Sequence, residues 1–128
     1  MEYKIQYDDR LGVCVIAVAG THQRPQESLE LLRIAGAYAA EHHCSRFLFD
    51  MRKADIVGNA ADAYEIPLDP EKFGVRKTFQ VAAVYPTVSP NERLLEDVGV
   101  NRGATTFRVF DDIDAAHEWL AGLSQSGG

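Results

Sequence analysis

The 128 residues are enough for one domain with a real core, and 46% hydrophobic with 25% charged is an ordinary globular composition. Nineteen acidic residues against thirteen basic ones give a net charge of -6 and a pI near 5.1, with Arg52-Lys53 and Arg76-Lys77 the adjacent basic pairs. That scatter lacks the basic stripe that releases counterions from a phosphate backbone, so nucleic acid is not an expected partner.

The opening Met1-Glu2-Tyr3-Lys4 has no apolar signal region. No stretch approaches the roughly 18 apolar residues of a membrane span, so the expected location is the cytoplasm and the chain is not expected to cross a membrane. Cys14 and Cys44 are too few for a disulfide framework and lack the spacing of a metal-binding pair, so both are read as reduced and buried.

In chain order, Tyr3, Ile5 and Tyr7 alternate with Lys4 and Gln6, Asp8 to Gly12 carry turn residues, and 13–19 forms a second extended run ending at Gly20. This predicts an antiparallel hairpin. Pro25 stands where a helix can start. Over 26–43, Glu27, Glu30, Arg33, Ala37 and Glu41 recur on one face and Leu31, Leu32, Ala35, Tyr38 and Ala39 on the other, which predicts a helix lying on a sheet.

The runs 47–49, 81–84 and 107–110 are continuously apolar, and each ends in Asp50, Tyr85-Pro86 or Asp111-Asp112. Strands buried on both faces have this composition, and parallel neighbours need crossovers of about a dozen residues. Between the first two lies an irregular stretch, 51–78, in which a short helix is expected over 59–65 and Pro67, Pro70 and Gly74 prevent a longer one.

Ser89-Pro90-Asn91-Glu92 has the pattern of a capping box: Ser at N-cap, Pro at N1 and Glu at N3. Leu94, Leu95 and Val98 follow as the apolar face of that helix, with Gly103 as its stop. Asp111 or Asp112 caps a last helix bearing Ile113, Ala116, Trp119, Leu120 and Leu123, and 124–128 is read as a disordered tail beyond a domain spanning 1–123. The expected fold class is α/β: a single layered domain with a mixed, mostly parallel sheet, an N-terminal antiparallel hairpin and about four helices in the order ββαβαβαβα.

Three stretches carry a family resemblance. They are Arg46-Phe47-Leu48-Phe49-Asp50, the strand from Phe79 through Val84 to Tyr85, and Phe107-Arg108-Val109-Phe110-Asp111-Asp112 running into Ala115-Ala116-His117-Glu118-Trp119-Leu120. In this order the chain resembles the STAS superfamily of sulfate-transporter and anti-sigma-factor-antagonist domains, in particular its small SpoIIAA-like bacterial branch. The resemblance implies a regulatory module whose serine, at the start of the helix after the central strand, is phosphorylated to break a protein complex. Residues 52–62 contain no Ser, Thr or Tyr, so that switch does not carry over; Asn59 is read as a helix cap.

Candidate chemistry is sparse. His42-His43-Cys44 holds metal-ligating types, but adjacent helical residues point about 100° apart, and no metal site or other cofactor is expected. His22 and Arg24 are read as exposed loop residues. Asp50, Asp55 and Asp111 fall at or just past strand ends, where open α/β sheets bind ligands, and Arg52 or Lys53 could pair with an anion there. The nucleophile elbow, the phosphate loop and the dinucleotide fingerprint are all missing.

Tyr64, Ile66, Leu68 and Phe73 cluster in the irregular crossover and could form an apolar lid. The leading expectation is a non-catalytic interaction module that binds a partner protein, and a second copy as a homodimer, through the 51–73 face. Asp50, Arg52, Tyr64, Ile66, Leu68, Phe73 and Asp111 are its candidate site residues. A small apolar ligand under the same lid is the second expectation, and an enzyme using Asp50, Asp111 and Arg52 the third.

Overall fold

In the computed structural model the residues described are 2–10, 12–23, 26–58, 80–88, 90, 93 and 107–126. They form one sheet of five strands in sequence order: β1 (Glu2–Asp8), β2 (Val13–Gln23), β3 (Arg46–Val57), β4 (Gln80–Val84) and β5 (Phe107–Phe110). β1 and β2 are antiparallel, and every later neighbour is parallel. The mixed, mostly parallel α/β sheet with its opening hairpin therefore stands as expected.

Two helices accompany the sheet among the described residues, α1 (Gln26–His42) and α2 (Ile113–Ser126), and Pro90 and Arg93 are also helical. The short helix expected over 59–65, and Ser89, Asn91 and Glu92 of the capping box, lie outside the described residues. α2 runs three residues into the stretch read as a tail.

The hairpin turn follows from its residues. The Gly12 N–H donates to the Asp8 carbonyl at 2.8 Å, and the Arg10 N–H donates to Asp8 Oδ1 at 3.0 Å. Gly12 has φ of 65°, a left-handed conformation that a side chain would strain.

Each sheet face has its own core. On one, Leu31, Ala35 and Ala39, four residues apart on α1, bury against Cys14, Ile16 and Val18 of β2 and Phe47, Phe49 and Met51 of β3. On the other, Ala116 and Leu120 of α2 cover Val13, Leu48, Ala82 and Val84, and the Trp119 ring meets Phe110 at 5.7 Å between centroids. β4 shows why parallel strands read as unbroken apolar runs: of its five residues all but Gln80 are buried. The Asp112 carboxylate accepts the Asp114 N–H at 3.0 Å, so Asp112 is the cap of α2.

Two strands are longer than the sequence pattern indicates. β2 continues through Gly20, at φ 76°, to Gln23. β3 continues past Asp50 to Val57, so Asp50 is an interior position of that strand and not its last. The reason is a bulge. Between the pairs Ala17–Asp50 and Ala19–Lys53, β2 advances two residues and β3 three.

Phe47, Phe49 and Met51 face α1 before the bulge, and Ala54 and Ile56 pack on the same core after it. The inward positions change from odd to even numbers, which hides the strand's alternation.

Candidate functional site

Asp50 is the last residue of β3 paired with β4, opposite Val84, and β1 reaches only to Ala19 on β2. Beyond these points β2 and β3 continue together as a parallel ribbon from Gly20 and Ala54 to Gln23 and Val57. The two faces of that ribbon differ. Ala54 and Ile56 are partly buried toward the α1 side, and His22 is buried at 2% exposure. On the opposite face Thr21, Gln23, Lys53, Asp55 and Val57 are exposed. That exposed face is continuous with Ala17 and Ala19 of β2 and with Glu2 and Lys4 of β1, which are their register partners.

His22 corrects the sequence reading. It is a buried strand residue, not an exposed loop residue, and the signal for it was the even-numbered alternation of Cys14, Ile16 and Val18, which Gly20 interrupts without ending. Arg24 lies outside the described residues.

The bulge fixes the charged centre of this surface. Arg52 Nε donates to Asp50 Oδ1 and its terminal nitrogen to Oδ2, both at 2.9 Å, and the Arg52 N–H adds a bond to Oδ1 at 3.2 Å. This fork-on-fork arrangement occupies both carboxylate oxygens. Hydrogen bonding from the Arg52 side chain holds Asp50 below the ordinary carboxylate range, against the opposing effect of burial. Asp50 in turn raises Arg52, and Asp114, in the first turn of α2, adds a favourable charge.

Asp50 and Arg52 are thus brought together. Asp111 is not joined to them. It follows β5, two strands away across β4, which at sheet spacing is roughly 10 Å of backbone separation. An Asp50 held ionised by an arginine lacks the poise of a general base.

Tyr64, Ile66, Leu68 and Phe73, proposed from sequence as a lid, lie outside the described residues. His42 and His43 are exposed; the His42 ring stacks on Tyr38 at 4.1 Å. Among the described residues no three His, Cys, Asp or Glu side chains gather as a metal-holding group, and no helix is long and apolar enough to cross a membrane.

Comparison with solved structures decides the architecture. An anti-sigma factor antagonist from Mycobacterium paratuberculosis superposes with a TM-score of 0.54 at 18% identity, over 93% of this chain and 92% of that one. The anti-sigma factor antagonist SpoIIAA in its unphosphorylated form gives 0.55 at 10% identity over 99% of both chains. The chain has a SpoIIAA-like fold.

An uncharacterised protein with a SpoIIAA-like fold from Shewanella loihica matches at 0.57, 16% identity and 93% and 92% coverage. No family model and no curated protein matches the chain. At these identities the likeness concerns the fold.

Proposed function

We propose that the chain is a non-catalytic cytoplasmic STAS-type module that docks a partner protein, and a second copy of itself, through the open sheet face around the β3 bulge and the adjoining 51–73 stretch. The Asp50–Arg52 pair carries this reading. The carboxylate best placed for chemistry, where β3 parts from β4, is neutralised by its own neighbour, while Arg52, Lys53 and Asp55 beside it are exposed. Two of the structures that share the fold are described as anti-sigma factor antagonists, a description that sets them against another protein. With no hydroxyl in 52–62, control by a serine phosphoswitch is not part of the proposal.

The test reverses two exposed charges on the face, Lys53→Glu and Asp55→Lys, in separate variants whose circular dichroism matches the parent. Light scattering across a concentration series and affinity capture are then compared between parent and variants. The expected outcome is a concentration-dependent rise in mass and specific retention of a protein that both reversals weaken at least tenfold. A chain that stays monomeric and retains the same proteins with or without the reversals would overturn the proposal.

A further inference from the structure

We propose that two copies of the chain pair antiparallel through β1, about a two-fold axis at Gln6 that sets Lys4 of each copy opposite Asp8 of the other. The inference rests on the self-association proposed above and names the strand that holds the second copy, at the rim of the same open face.

β1 has the character of an unfinished edge. It comes first in the strand order and pairs with β2 alone among the described residues. Seven consecutive residues pair with β2 without a shift, so the strand has neither the bulge nor the proline that blunts many edges. Glu2, Tyr3, Lys4, Gln6 and Tyr7 are exposed along it, and Ile5 and Asp8 are half-buried. Tyr3 and Tyr7, opposite Val18 and Cys14 on the α1 side, are two of the three exposed large hydrophobic residues among those described.

Lys4 is the remaining guard against edge pairing, and the register decides whether it repels or attracts. A two-fold axis perpendicular to the sheet keeps each face continuous, so it passes through a residue, and odd positions meet odd while even meet even. Through Lys4 it would set that lysine against itself, and through Ile5 it would set Glu2 against Asp8. Like charges directly opposite are destabilising. Through Tyr3 it would join Glu2 to Lys4, but over Glu2 to Lys4 alone among the described residues.

The axis through Gln6 uses Lys4 to Asp8. Lys4 meets Asp8 twice on the open face, Ile5 meets Tyr7 twice on the α1 side, and Gln6 meets itself. Opposite charges and aromatic–aliphatic pairs at these positions are the contacts that stabilise an antiparallel ladder. Asp8 is also held in place for this: its Oδ1 accepts the Arg10 N–H at 3.0 Å, which fixes the carboxylate at the strand end.

The test is the mass of the full chain by light scattering and sedimentation over a concentration series. The parent should dimerise, and Lys4→Glu and Asp8→Lys should each weaken the dimer roughly tenfold or more. Mixing these two variants should restore association, because opposite charges then face each other at both contacts. Under diamide, Gln6→Cys should form a disulfide between chains and Tyr3→Cys should not, with the parent as control. Gln6→Cys decides the register by itself if Asp8→Lys does not fold. A monomeric parent, a dimer indifferent to Lys4→Glu, or crosslinking at Tyr3→Cys in place of Gln6→Cys would overturn the proposal. A dimer weakened by Lys53→Glu or Asp55→Lys but not by Lys4→Glu would remove this pairing and leave the bulge-centred docking; the reverse pattern would keep the pairing and remove the bulge from self-association.

Discussion

At the base of the sheet, β3 runs between β2 and β4 with a helix on each face, and Phe47, Leu48, Ala82 and Val84 lose all or nearly all contact with water. At the tip the same strand runs beside β2 with one face toward the α1 core and the other open, where Lys53, Asp55 and Val57 are exposed. One continuous strand thus serves two purposes, and the bulge at Met51–Lys53 marks the change. The base spends its side chains on packing; at the tip Lys53 and Asp55 stay in contact with water. Substitutions at the two ends should therefore differ in size and in kind.

The largest effect belongs to the base. Leu120 is fully buried where α2 meets the sheet, so Leu120→Ala removes its transfer free energy and leaves a cavity between helix and strands. Urea denaturation should show a loss of about 2–5 kcal/mol. A loss under about 1 kcal/mol would mean that the second face is loosely packed and that base and tip are less distinct than their burial indicates.

An intermediate effect sharpens the comparison from the other side. His22 is at the tip yet buried on the α1 side of the ribbon, opposite Ile56. His22→Ala should destabilise by about 1–3 kcal/mol, because a buried polar group and its partners are disrupted together. Lys53→Ala, one strand away on the open face, should stay within about 0.5 kcal/mol. Equal costs for the two would show that the ribbon is exposed on both faces.

Much of the base was legible in the amino-acid sequence because burial on both faces writes itself as unbroken runs such as Phe47-Leu48-Phe49 and Val81-Ala82-Ala83-Val84, and because helix periodicity in α1 placed Leu31, Ala35 and Ala39 together. The tip was not legible. A bulge shifts the alternation of β3 by one residue, so Met51-Arg52-Lys53-Ala54-Asp55-Ile56 matches neither a strand nor a helix, and Gly20 reads as a strand end although the backbone passes through it. Asp50 and Arg52 were both named as site residues, but residue types two positions apart do not by themselves specify a bidentate pair. The position of Asp111, two strands away, depends on strand order, which residue spacing alone does not specify.

The smallest effect tests that pairing. Asp50 is depressed below its unfolded value chiefly by the Arg52 side chain, so its ionised form stabilises the fold above the ordinary carboxylate range, and that contribution is lost as pH falls through the depressed folded value. Asp50→Asn removes the titration. Because the Arg52 side chain is 47% exposed, solvent screens the pair, and the difference between parent and variant should be under about 1 kcal/mol near pH ~7. It should shrink in high salt, and shrink again at low pH as the pH falls through the depressed folded value and Asp50 is protonated. Paired urea titrations at both pH values isolate this residue, since the other carboxylates are common to parent and variant. A difference that persists unchanged at low pH would mean that the substituted amide acts through packing at the bulge, and that the charge centre of the open face is not the Asp50–Arg52 bond.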